Sequence, residues 1–119
     1  MYIITKRFDF SASHQLDSLP DGHQCKRLHG HNYIIEVELS ANELNEHGFV
    51  VDFGELKPLK DYIDNTLDHR HLNDVLPFQT TAENLAKHLF DWSSNVWAEV
   101  TAVRVSETLK TWAEYRNEL

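Results

Sequence analysis

The sequence predicts an α+β domain, with a four-stranded antiparallel sheet carrying two helices on one face. Three observations predict it. Residues 2–14 and 29–40 alternate between apolar and polar side chains, as a shorter stretch does at 101–107. Two stretches between them repeat their apolar residues at helical spacing. The order strand, strand, helix, helix, strand, strand then suits a sheet of antiparallel pairs covered by a helical layer.

The first strand has Tyr2, Ile4, Phe8, Phe10, Ala12 and His14 on one parity and Thr5, Arg7, Asp9, Ser11 and Ser13 on the other. Turn-forming Asp17, Ser18, Pro20, Asp21 and Gly22 place a loop over 15–28. The second strand sets His29, His31, Tyr33, Ile35, Val37 and Leu39 against Asn32, Ile34, Glu36, Glu38 and Ser40. A polar turn follows around Asn45–Gly48. Asp52 and Glu55 have the spacing of a helix cap, and Leu56, Leu59, Tyr62, Ile63 and Leu67 recur at helical spacing. Pro58 fits that helix only near its start. Thr80 and Glu83 match a capping box ahead of Leu85, Ala86, Leu89 and Trp92. Thr101, Val103, Val105 and Glu107 form a third alternating set, and a fourth strand is expected near 111–117.

Length and composition bound the function. The 119 residues, 41% apolar and 25% charged, make one domain over 1–119. A net charge of −8 argues against a nucleic-acid surface, so an anionic ligand needs a local basic pocket. One cysteine excludes an internal disulfide. Charges at Lys6, Arg7 and Asp9 interrupt any signal-peptide core, and no stretch approaches the roughly 18 apolar residues of a membrane span. No membrane association is therefore expected, and the expected compartment is the cytoplasm. An open four-stranded sheet leaves two bare edges, which predicts pairing with further copies of the chain.

The eight histidines are the compositional oddity. His14 ends the first strand on its apolar parity, and His29 and His31 begin the second on its apolar parity. In an antiparallel pair the end of one strand lies beside the start of the next, so all three imidazoles converge on one patch. A lone buried histidine is more often a hydrogen-bonded core residue, but three uncompensated imidazoles on an apolar face would be costly. Three imidazoles suit a zinc ion, and three protein ligands leave a fourth position open, as in catalytic rather than structural sites. His23, His47 and His88 lack this context and read as surface or loop residues.

Cys25 precedes His29 by four residues. It can be a fourth metal ligand, a base or nucleophile, or an inert small residue. Lys26 and Arg27 beside it favour a thiolate and hence a reactive role. Asp68 and His69 can form a proton-transfer pair, although residue types alone favour a solvated helix end. Glu107 ends its strand on the apolar parity. A buried carboxylate there can accept two adjacent N–H donors of a ligand, or pair with Arg104 or Arg116.

Taken together, these segments resemble the 6-pyruvoyltetrahydropterin synthase family, and within it the bacterial branch that makes 6-carboxytetrahydropterin. The resemblance rests on Phe-Asp-Phe-Ser-Ala-Ser-His at 8–14, Cys-Lys-Arg-Leu-His-Gly-His at 25–31 and Val-Asp-Phe-Gly-Glu-Leu-Lys at 51–57. It continues in Leu-Asp-His-Arg-His-Leu-Asn at 67–73, Thr-Ala-Glu-Asn-Leu-Ala at 81–86 and Ser-Glu-Thr at 106–108. The three residues between Cys25 and His29 match the carboxy-forming branch, the pyruvoyl-forming animal enzymes having a longer gap. The stretch Leu109–Tyr115 departs from the pattern.

The resemblance implies a tunnelling fold (T-fold) whose sheets assemble into an oligomeric barrel, as a homohexamer. It implies Zn2+ on His14, His29 and His31, Cys25 as the base, Asp68 and His69 as a proton relay, and Glu107 as anchor of the pterin ring with a share in the relay. The implied substrate is 7,8-dihydroneopterin triphosphate. The implied products are 6-carboxy-5,6,7,8-tetrahydropterin, acetaldehyde and triphosphate, in the queuosine pathway. Lys26 and Arg27 are the expected triphosphate contacts. The alternatives are 6-pyruvoyltetrahydropterin synthesis from the same substrate and a non-catalytic zinc-bearing interaction module closed by Cys25.

Overall fold

The computed structural model describes residues 1–118. Its two long strands, β1 (Tyr2–His14) and β2 (His29–Ala41), pair antiparallel without interruption from Tyr2↔Ala41 to His14↔His29. The unbroken period-2 pattern explains this register. A one-residue slip would turn Phe8, Phe10, Tyr33 and Ile35 to the opposite face.

The helical layer has two parts. A 3-10 turn (Phe53–Leu56), capped by the Asp52 carboxylate on Gly54 N–H, leads into α1 (Lys57–Tyr62), with Pro58 in its first turn where a missing N–H does no harm. A π-helical turn (Ile63–Leu67) closes this segment. The short strand β3 (Arg70–His71) and the single turn α2 (Leu72–Val75) follow. The long helix α3 (Ala82–Val96) buries Leu85, Ala86, Leu89, Phe90 and Ser93. Truncating fully buried Leu85 or Leu89 to alanine removes packing worth about 2–5 kcal/mol. Strands β4 (Val100–Thr108) and β5 (Thr111–Arg116) complete the sheet, in the order β3-β1-β2-β4-β5.

The α+β architecture thus matches the expectation, with five strands instead of four. The additional strand β3 is two residues long and parallel to β1, pairing Ala12 with Arg70 and Ser13 with His71. So short a bridge has no periodicity to detect. The cap of α3 also differs. Thr81, not Thr80, caps it, accepting from Asn84 N–H, and Thr80 is fully buried.

The helices cover the face bearing Phe8, Phe10, Tyr33, Ile35, Val37, Val103 and Val105, all buried. The opposite face carries an ionic ladder. Glu38 is held by Arg116 at 2.7 Å and Arg104 at 3.2 Å, Glu36 by Arg7 at 2.7 Å and Arg104 at 3.0 Å. No helix among the described residues is long and apolar enough to cross a membrane.

Candidate metal centre and active site

His14 and His29 face each other as the last pair of the β1–β2 ladder, and His31 lies two residues along β2 on the same side. Their rings sit 4.4, 4.9 and 5.1 Å apart, centroid to centroid. One nitrogen from each lies within 4.8 Å of the others. The convergence expected from strand phase is therefore present.

The hydrogen bonds around the rings determine which nitrogens face inward. His14 Nδ1 lies 2.8 Å from the Thr80 carbonyl oxygen and 3.1 Å from its hydroxyl, and His29 Nδ1 lies 2.6 Å from the Arg27 carbonyl oxygen. A carbonyl only accepts, so each Nδ1 carries the proton and each Nε2 presents a lone pair. Nε2 of His14 and Nε2 of His31 are buried without any hydrogen-bond partner. An orphaned buried polar atom costs about 1–3 kcal/mol. Burial, reinforced by the neighbouring imidazoles, lowers the His14 pKa to about 4 and pulls His31 down as well, so both are neutral at ordinary pH. Neutral, pre-oriented imidazoles with unsatisfied lone pairs fit a divalent metal. No other Cys, Asp or His ligand atom among the described residues joins the group, so three ligands leave coordination open.

Glu107 reaches this cluster from β4. Its Oε2 lies 3.4 Å from His31 Nε2. Burial raises its pKa, partly offset by His29. Arg104 and Arg116 are engaged with Glu36, Glu38 and Glu114 on the far face, which removes the arginine pairing weighed for Glu107.

Asp68 and His69 do form a pair, with Oδ2 2.8 Å from Nδ1. They follow a helix end, but β1 holds them in place. Ser11 N–H donates to Asp68 Oδ1 at 2.9 Å, and His69 N–H donates to the Ser11 carbonyl at 2.7 Å. The Ser11 bond, then the His69 ring, holds the Asp68 carboxyl below its usual range. His69 adopts a left-handed backbone, φ 58°, and its ring is solvent-exposed.

Cys25 is half-buried in a single 3-10 turn (Gln24–Lys26) that lies at the base of β2 because Leu16 N–H donates to its carbonyl. Its sulfur is not a member of the histidine group. Lys26 is paired with Asp21 at 2.5 Å, and Arg27 is exposed. His23 and His47 are exposed loop residues, but His88 is half-buried on α3, with Nε2 2.6 Å from the Tyr62 hydroxyl, not on the surface.

Thr80 is the site residue that sequence reasoning missed. The capping-box match assigned it to α3, and the signal against that assignment was the second threonine at 81, which caps equally well. A cavity of about 650 Å³ is lined by Phe10, His31, Tyr33 and Glu107. A second, of about 450 Å³, is lined by Ser13, His31, His69, Arg70 and His71. Both share Ser11, Gly30, His31 and Asn32.

The 6-pyruvoyl tetrahydropterin synthase family model matches residues 3–118. A 6-carboxy-5,6,7,8-tetrahydropterin synthase of a Synechocystis species is 41% identical over 96 residues, covering 76% of this chain and 73% of its own. The Haemophilus influenzae protein of the same name is 31% identical, covering 98% and 99%. Among solved structures, 6-pyruvoyl tetrahydropterin synthase of Caenorhabditis elegans superposes with a TM-score of 0.84 at 29% identity, covering 99% of this chain and 98% of that one.

Proposed function

Because the chain belongs to the 6-pyruvoyl tetrahydropterin synthase family, we propose that it converts 7,8-dihydroneopterin triphosphate and water into 6-carboxy-5,6,7,8-tetrahydropterin, acetaldehyde and triphosphate. The observation that carries this reading is the three-histidine cluster with open coordination beside the Glu107 carboxylate. The three-residue gap between Cys25 and His29 favours the carboxy-forming branch.

His14, His29 and His31 are assigned to zinc, which when bound polarises side-chain oxygens of the substrate and acidifies the neighbouring C–H and O–H groups. Cys25 is the base that takes a proton from the substrate side chain as triphosphate is eliminated. His69, whose Nδ1 is occupied by Asp68, exchanges protons through Nε2, with Asp68 orienting the ring and stabilising its protonated form. Glu107 accepts the paired N–H donors of the pterin ring, fixing its orientation, and its nearness to His31 allows it to share in the relay. Lys26 and Arg27 remain assigned to the triphosphate end. The ring is reduced at the expense of the side chain, so no nicotinamide is consumed. The enzyme is assigned to the cytoplasm and to queuosine synthesis. It acts as a homohexamer whose barrel covers the open sheet edges, at β5 and along the part of β1 that the two-residue β3 leaves unpaired.

Incubation with dihydroneopterin triphosphate and product analysis by mass tests the reading. The carboxy product with acetaldehyde supports it, and the pyruvoyl compound alone rejects it. Cys25→Ala separates it from a non-catalytic module: the enzyme keeps its metal and loses turnover, whereas a module closed by Cys25 loses metal.

A further inference from the structure

We infer that the cavity between β1, β2 and β3 is a polyphosphate subsite, anchored by the Arg70 guanidinium with the Ser13–His71 pair supplying a further donor. The inference deepens the proposed function and rests on it for the identity of the ligand, the triphosphate of the substrate.

Among the described residues, Lys6, Arg27, Arg70 and Lys110 have no carboxylate partner, and of these Arg70 alone lines the second cavity. In a chain of net charge −8, basic side chains are mostly neutralised in place. Arg7, Arg104 and Arg116 pair with glutamates, and Lys26, Lys57, Lys60 and Lys87 pair with aspartates. Arg70 has no carboxylate partner among the described residues and donates only to the Asn65 carbonyl at 3.2 Å. It lines a cavity of about 450 Å³ whose lining includes no carboxylate residue. Beside it, Ser13 Oγ and His71 Nδ1 share a hydrogen bond at 2.9 Å, which leaves one donor of the pair free, the hydroxyl or the ring Nε2–H, while His69 gives its Nδ1–H to Asp68. The parallel bridge Ala12↔Arg70 and Ser13↔His71 fixes these groups to the strand that ends in His14. A guanidinium and a neutral hydrogen-bond donor in a carboxylate-free cavity suit phosphate oxygens.

The placement also fits a two-ended substrate. The cavity adjoins the larger one lined by Glu107 across Ser11, Gly30, His31 and Asn32. The carboxylate end suits the N–H edge of the ring and the basic end suits the phosphates, with His31 between them.

Binding of inorganic tripolyphosphate to the full-length protein, by calorimetry, tests the subsite without turnover. R70Q is expected to weaken that binding roughly 10- to 100-fold, with R70K restoring part of it. K87Q, which removes an equal charge on the outer side of α3, keeps wild-type affinity, and unchanged melting temperatures show that the variants fold. With dihydroneopterin triphosphate, R70Q raises KM by a similar factor and changes kcat far less. Wild-type tripolyphosphate affinity in R70Q overturns the subsite, as does a loss confined to K26Q or R27Q. Arg70-dependent tripolyphosphate binding without turnover of the pterin would instead sink the proposed function and leave the subsite standing.

Discussion

His14 Nδ1 donates to the Thr80 carbonyl oxygen at 2.8 Å, tying the last residue of β1 to the residue before the α3 cap. The bond fixes both the tautomer and the rotation of the most buried histidine, so its Nε2 points at the cluster before any ion arrives. The Thr80 hydroxyl stands behind it at 3.1 Å. Thr80→Val removes that hydroxyl and keeps the carbonyl. Metal affinity is expected to fall by about 10-fold, the low end for an outer-shell loss, with secondary structure unchanged. A chelator-competition titration measures it, and wild-type affinity in the variant would show the hydroxyl to be idle.

Removing a ligand has a larger effect than removing its support. His29→Ala is expected to lose bound metal and turnover together, because two imidazoles cannot hold the ion. Cys25→Ala should purify with the wild-type metal content and a kcat at least about 100-fold lower. Elemental analysis alongside turnover separates the two, and metal-free Cys25→Ala would contradict the open coordination.

Metal-free protein should lose stability in mild acid. The His14 pKa is about 4 in the folded state and near 6.5 in the unfolded chain, so the unfolded state binds more protons between these values. Stability is full above pH 6.5 and is lost as pH falls toward 4, by an amount on the order of 3 kcal/mol. Denaturant midpoints of chelator-treated protein across that window check this. His14→Gln should flatten the slope, and metal-loaded protein should resist to lower pH because the ion competes with protons.

Glu38 governs a separate, more acidic window. Hydrogen bonds from Arg116 lead the effects that hold its pKa to about 2, so its contribution is present above about pH 4.5 and is lost as pH falls toward 2. Because Arg116 is 46% exposed, solvent screening limits the contribution to about 1–2 kcal/mol. Glu38→Gln should lower the thermal midpoint by several degrees with metal content unchanged. A variant that also lost metal would show that the ionic ladder reaches the site.

Asp68→Asn tests the relay. Without the carboxylate's charge, 2.8 Å from the ring, protonated His69 is no longer stabilised, and kcat is expected to fall about 10²- to 10⁴-fold with KM little changed. A large rise in KM at constant kcat would make Asp68 a binding residue.

Much of this was legible in the chain itself. Period-2 alternation gives β1, β2 and their register, and register places His14, His29 and His31 on one patch, because side-chain direction along a strand is a local property. The amphipathic spacing of Leu85, Ala86 and Leu89 likewise marks α3 and its buried face. Packing across long separations decided the rest. Whether Thr80 or Thr81 caps α3 depended on His14, 66 residues away, and whether Asp68 meets solvent or the site depended on Ser11, 57 residues away. The two-residue β3, which brings Arg70 and His71 to β1, is too short to leave a pattern. Local periodicity says where a side chain points. Only the docking of helices and loops onto the sheet says what it meets there.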